Sequence, residues 1–432
     1  MATNAGLLER RKKFVPNGVG IFNTATAQSA KGSVVTDAEG KELIDFAGGI
    51  GVLNTGHCPE PVVKAIQEQA AKLIHTCFNV ATYDLYMELA QELAELFPHG
   101  ESTKVMLTNT GAESVENAIK IARQFTKRKA IIAFTDGFHG RSMMAMTLTS
   151  KASYKYNCGP FAPEVYRIQY PNYYRYNDGL TKEQFIARET RRLRETMINV
   201  VDPHDAAAVI IEVVQGEGGF VAAPVEYIKE LRKVCDEFGI MLIFDEVQTG
   251  FGRTGKWAAY EHYDVIPDLS TWAKSMGGGM PIGCVIGRAD VMDGAASGTI
   301  GGTYLGNPVC CAASLANIRY MKQIDINKCG EHVGGIIRRR FNEMKEKYAC
   351  IGEVRGIGAM LAIALVKESN AWLPDEELCR NVIDGCSKRG LILLSAGTYK
   401  NIIRILSPLT ISDELLNKGL DILDEELTRL TL

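Results

Sequence analysis

Five short runs of apolar residues, separated by segments of helical pattern, limit what this chain can become. They lie at 104–108, 130–134, 208–214, 240–244 and 284–286. Runs that are apolar almost throughout belong to strands covered on both faces, and strands alternating with helices build a parallel sheet. Helical patterns at 112–124 and 225–238 supply crossovers between such strands. The expectation is an α/β fold with a mostly parallel sheet of the seven-stranded type.

Beyond about residue 325 the texture changes. Strands at 359–366, 391–395 and 402–406 stand between charged helices, and 413–427 reads as a closing helix. This predicts a smaller α+β unit, joined by the first 60 residues with their hairpin candidate at 34–41. Residues 61–324 are accordingly expected to form a large domain, and 1–60 with 325–432 a small one.

A chain of 432 residues can bury a core in each. With 23% charged residues and a net charge of −3 it carries no field that would draw nucleic acid or a membrane surface. No apolar run approaches the roughly 18 residues that span a bilayer. The charges at 9–13 have no apolar stretch behind them, so no secretion signal is expected. Eleven cysteines without a Cys-x-x-Cys pair read as reduced, buried thiols of a cytoplasmic enzyme. Seven dispersed histidines show no ligand spacing, and no metal site is expected. The Arg191-Arg192-Leu193-Arg194 cluster lies on a helix at 181–197 whose Ile186, Leu193 and Met197 face inward, and it reads as a solvated face. The tyrosine-rich stretch 170–176 reads as a surface or subunit-contact loop.

Chemistry concentrates at two positions. Asp245 closes an apolar run, and Lys274 follows 29 residues later between the short run Leu269-Ser270-Thr271-Trp272 and the glycines 277–279. A lysine amine can hold a cofactor aldehyde as an imine while a carboxylate keeps a ring nitrogen protonated, which is what pyridoxal phosphate requires of a protein. Thr110-Gly111-Ala112 joins a strand to a helix, and its amides can hold an anion or merely cap the helix. The segment is neither a dinucleotide fingerprint nor a Walker loop, which removes the main support for a nucleotide-binding dehydrogenase. In Asp136-Gly137-Phe138-His139-Gly140-Arg141, Phe138 can stack on a flat ring or lie in the core. Arg141 can fork onto a carboxylate or form a surface ion pair. Glu217 stands among glycines after the run 208–214, where open α/β sheets bind ligands. Arg404, flanked by Ile403 and Ile405, must find an anion, either a protein carboxylate or a substrate's.

These segments, with Gln215 to Gly219, Asp245 to Gln248 and Gly301-Gly302-Thr303-Tyr304, resemble class III (ω-amino acid) aminotransferases of pyridoxal phosphate fold type I, over residues 8–428. Asp45 to Ile50, Leu53 to His57 and His75 to Phe78 resemble the bacterial 4-aminobutyrate branch of that family. The resemblance implies that Lys274 holds the cofactor and shuttles a proton, with Asp245 on the ring nitrogen. Gln248 would bond the phenolic oxygen, and Val247 and Phe138 would flank the ring. Gly111 and Ala112 would hold the phosphate, joined by Thr303 of a neighbouring subunit, in a homodimer or a dimer of dimers. It further implies that Arg141 takes the distant carboxylate of a substrate, that Arg404 takes a carboxylate beside the reacting carbon, and that Glu217 pairs with Arg404 when none is there. Ile50 would line the substrate channel.

The implied reaction passes the amine of 4-aminobutyrate to 2-oxoglutarate, giving succinate semialdehyde and glutamate in ping-pong order through a pyridoxamine phosphate form. A 5-aminovalerate, β-alanine or ornithine aminotransferase on the same scaffold remains open, as does an amino-acid racemase or epimerase. A protein that merely stores the cofactor would not need the lysine, the acid and both arginines. Val213 stands where the family usually has proline, which predicts a looser backbone ahead of Glu217. The iron–sulfur cluster of animal relatives in this family has no cysteine pair to hold it here, and none is expected.

Overall fold

A computed structural model describes residues 3–431. The apolar runs fall together in one seven-stranded sheet. Its order is Thr103–Thr108, Gly283–Arg288, Leu269–Trp272, Met241–Asp245, Ala206–Ile211, Ala130–Phe134 and Val165–Ile168. The last five run parallel, and Gly283–Arg288 is antiparallel to both its neighbours. Coverage on both faces is direct: Leu242 and Phe244 enter one core cluster, while Met241 and Ile243 enter another. Helix Gly111–Thr126 buries Val115, Ala118, Ile119 and Ala122, and Thr110 caps its start by accepting the Glu113 amide.

Two of these strands are not evident as apolar runs. Leu269–Trp272 is interrupted by Ser270 and Thr271, whose buried hydroxyls bond His99 and Asp245. Val165–Ile168 is a half-buried edge strand carrying Arg167. The reversal of Gly283–Arg288 follows from its connection: 273–282 is shorter than the dozen or so residues a parallel crossover needs.

The predicted strand 391–395 divides. Leu391–Ile392 pairs in parallel with Glu42–Asp45, in a sheet that also holds Ala27–Lys31 and Val34–Asp37. Leu394–Ala396 pairs antiparallel with Ile402–Ile405, beside Met360–Leu365 and Ile351–Ile357. The apolar pattern continues through Leu393 while the chain changes partners. The predicted helix over 413–427 extends over Asp413–Thr431.

Three expectations are corrected. Tyr170 is fully buried, and its hydroxyl bonds the carbonyls of Glu212, Val213 and Val221, so 170–176 is not surface throughout. Helix Lys182–Asn199 buries Leu193 and Met197 and exposes Arg191, Arg192 and Arg194 as expected, but it is Phe185 rather than Ile186 that is fully buried. Cys58 and Cys158 are exposed rather than buried. No helix among the described residues is long and apolar enough to cross a membrane.

Candidate active site

The carboxyl ends of the parallel strands converge on a cavity of about 530 Å³. Asp245 ends the strand Met241–Asp245, and Lys274 follows Leu269–Trp272, its neighbour in the sheet. Gly111, Ala112, Phe138, Arg141, Glu217, Asp245, Val247, Gln248 and Lys274 all line the cavity.

Asp245 is buried and heavily partnered. Its Oδ1 accepts from the Thr271 hydroxyl at 3.1 Å and the Val247 amide at 3.2 Å, and its Oδ2 lies 2.8 Å from His139 Nδ1. The loop carrying His139 follows Ala130–Phe134, so it must cross the end of Ala206–Ile211 to reach Asp245. Glu212 ties that crossing. Its two carboxyl oxygens accept the Phe138 and Gly216 amides at 2.8 Å each. Burial pushes the Glu212 carboxyl up to about 7, against the opposing influence of His139.

Lys274 adopts a left-handed backbone, φ 48°, which a side chain with a Cβ tolerates only when its surroundings impose it. The next residue supplies the restraint: the Ser275 hydroxyl donates to Gly51 O, and the Asn317 amide donates to Ser275 O at 2.7 Å. Burial lowers the Lys274 ammonium below the ordinary lysine range, with Glu217 opposing and Arg404 reinforcing that shift.

Gln248 is buried with neither polar atom of its carboxamide in a well-formed hydrogen bond among the described residues, though it lies close enough to Glu217 to favour its charged form. It lies against the Glu217 turn, where a Cβ on Gly216 would collide with Gln248 Oε1. A buried, unpaired amide is costly unless a ligand completes it. Gly111 packs so closely on Val247 that a Cβ there would come within 2.9 Å of it.

The other wall differs. Arg141 is exposed, its guanidinium 4.7 Å from the centre of the Tyr154 ring, and no ion pair among the described residues engages it. Stacking fixes the plane of the fork and leaves its donors free. Arg404 is buried and lies 2.6 Å from Glu217 Oε1. Burial works against the Glu217 carboxylate, but the charge and hydrogen bond of Arg404 hold it below the usual carboxylate range.

Three predicted residues stand apart from the cavity of their own chain. Arg404 reaches it only through Glu217. Ile50 is 37% exposed, and Val52 lines the cavity instead. Thr303 is exposed on the loop 301–304, beside Tyr304, whose ring meets His75 at 5.0 Å. Val213, which stands where the family usually has proline, is buried. Its carbonyl accepts from the hydroxyls of Tyr170 and Tyr263 and from the Ala223 amide, all at 2.9 to 3.0 Å. His139, Thr271 and Glu212 were legible as residues but not as partners of the acid, because strand order decides that they meet.

Residues 15–427 match the sequence profile of the family described as aminotransferase class-III. A probable 4-aminobutyrate aminotransferase of Bacillus subtilis is 44% identical, over 98% of this chain and 97% of its own. A 5-aminovalerate aminotransferase of Pseudomonas putida is 46% identical, over 98% of both chains. Among solved structures, taurine:2-oxoglutarate aminotransferase from Bifidobacterium kashiwanohense, in complex with pyridoxal phosphate and glutamate, superimposes with a TM-score of 0.91 at 28% identity. That match covers 100% of this chain and 98% of the other.

Proposed function

The chain belongs to the class-III aminotransferases, fold type I enzymes that use pyridoxal 5′-phosphate and transfer the amine of an ω-amino acid, and from that premise we propose that its donor is 4-aminobutyrate and its acceptor 2-oxoglutarate. The observation that carries the site assignment is the convergence of Lys274 and Asp245, at the ends of adjacent strands, on a cavity in which the Gln248 carboxamide is buried without a well-formed hydrogen bond.

The residues present fit the cofactor. The buried Gln248 amide suits a phenolic oxygen, and the Gly111 and Ala112 amides at the head of helix Gly111–Thr126 suit a phosphate. Phe138 and Val247 would flank the ring, and Asp245 would hold a proton on its nitrogen, oriented by His139 and Thr271. Bound there, pyridoxal phosphate supplies an electrophilic carbon for the amine and a ring that takes up electron density from the substrate carbon.

Burial favours the neutral amine of Lys274, the form that can take a proton from the amine-bearing carbon of the substrate and return it. Arg141 binds the carboxylate far from that carbon, which both substrates possess. Glu217 neutralises Arg404 while an ω-amino acid is bound. A substrate with a second carboxylate, such as 2-oxoglutarate or glutamate, displaces Glu217 and takes Arg404 itself.

We read the enzyme as a cytoplasmic homodimer or dimer of dimers. The eleven free cysteines support the compartment, and the exposed Thr303, away from its own cavity, supports a contribution to a second copy. The same reading treats 1–60 with 325–432 as a small domain on the large one, 61–324. The relative named for 5-aminovalerate keeps that donor as a second candidate. Glutamate formation from 2-oxoglutarate, measured with each donor in turn, tests the choice. A higher kcat/KM with 5-aminovalerate would replace the proposed substrate.

A further inference from the structure

Arg355 stands outside the cavity and meets the turn that carries Glu217. It lies on the strand Ile351–Ile357, two strands away from the one that carries Arg404. Its Nε donates to the carbonyl of Gly219 at 2.6 Å, and its Nη1 lies 2.8 Å from Glu353. Gly219 is left-handed, φ 101°, and a Cβ there would meet Arg355 Nη2 at 2.8 Å and Ile402 Cγ1 at 2.9 Å. Ile402 opens the strand Ile402–Ile405 on which Arg404 sits. One guanidinium, braced by Glu353, therefore meets the turn behind Glu217 where that turn abuts the strand of Arg404. The turn is pinned further by the Gly397 amide, which donates to Glu217 O at 2.9 Å.

We propose that Arg355 is a positioning residue for the substrate switch. It fixes the backbone of the Glu217 turn so that exchange between the two kinds of substrate is a swing of one side chain. The inference rests on the reading of Glu217 and Arg404 given above. A fixed turn returns the carboxylate to Arg404 each time the site empties. A loose turn leaves Arg404 uncovered for part of the time. The half-reaction of the ω-amino acid, which needs Arg404 neutralised, then suffers. Binding of a dicarboxylate, which must displace Glu217, becomes easier.

The test uses the holoenzyme with Arg355→Leu and Arg355→Lys, each checked for folding by thermal unfolding. Loss of a hydrogen bond to a charged donor predicts a fall of roughly 10-fold in the single-turnover rate with 4-aminobutyrate for Arg355→Leu. The rate with glutamate should change by less than about 3-fold, because its own carboxylate holds Arg404. Arg355→Lys keeps the charge and one donor and should recover most of the loss. Glutarate, an unreactive dicarboxylate, should bind Arg355→Leu more tightly than the wild type by calorimetry, with butyrate unchanged. Equal losses with both amines, or glutarate binding that is weaker or unaltered, would overturn the proposal. If Arg355→Leu does not fold, Arg355→Gln takes its place, and equal losses with both amines in that variant overturn the proposal equally. A wild-type enzyme that accepts neither 4-aminobutyrate nor 5-aminovalerate would instead remove the underlying functional reading.

Discussion

On the wall of the cavity formed by the central sheet the acid is held by several partners at once, whereas the two arginines beside the cavity have few: Arg141 meets one ring and Arg404 one carboxylate. Asp245 is met by Thr271, Val247 and His139, and the loop bearing His139 is tied down by Glu212. Arg141 lies on an aromatic face with its donors free, and Arg404 is met by an acid mounted in a glycine-rich turn. The difference matches two tasks. A cofactor is bound once and must be held in a single orientation, which rewards a rigid, saturated network. Two substrates of unlike charge must enter and leave in turn, which rewards partners that can be displaced.

Substitution of Lys274 on the rigid wall should have the largest effect. Lys274→Ala is expected to lower single-turnover transamination by at least about 10³-fold, through loss of both its nucleophilic and its proton-transfer roles. Thermal unfolding should show the protein still folded. Turnover within tenfold of wild type would break the comparison at its strongest point.

Among the sparsely partnered groups, Arg141→Ala should cost about 2–3 kcal/mol in kcat/KM for 4-aminobutyrate, the scale of a lost charge-assisted hydrogen-bond pair. Both half-reactions should weaken, since each substrate carries the distant carboxylate. An unchanged kcat/KM would move the carboxylate site elsewhere. Glu217→Gln should act more selectively, slowing the 4-aminobutyrate half-reaction by roughly 10-fold more than the glutamate half-reaction. Parallel losses would mean that Glu217 is as fixed as Asp245.

The smallest effect concerns Glu212. Its carboxyl is raised in the fold to about 7, above the ordinary value of 4.5. The folded state therefore holds the extra proton between these values, and the stability linked to it is full below pH 4.5 and lost as pH rises through about 7. Glu212→Gln removes that dependence. Its deficit in melting temperature relative to wild type should shrink between pH 5 and pH 8, and a deficit that grows would contradict the assignment.

The same contrast explains what could be read from the residues alone. The strand 130–134 and the helix 225–238 appear in the structure with the boundaries their patterns imply. Asp245 and Lys274 stood out because a strand end followed by a lysine before glycines is a local pattern. The partners of Asp245 did not stand out. Thr271 faces it through strand register, and His139 arrives from a loop two strands away. The reversed strand Gly283–Arg288 was recognised as a strand but not by its direction, which an apolar run does not encode. Arg355 carried no signal, since an arginine before a glycine is commonplace until Gly219 is found against it. Local periodicity reveals elements, and chemistry assembled across the sheet becomes visible only with strand order.

The most direct measurement is an absorbance spectrum of the purified protein with pyridoxal phosphate, before and after 4-aminobutyrate is added without a keto acid. The account predicts a yellow band that gives way to near-ultraviolet absorbance and returns when 2-oxoglutarate is supplied. A protein that shows no yellow band even with excess pyridoxal phosphate would contradict the assignment of Lys274, and with it the reading of the cavity.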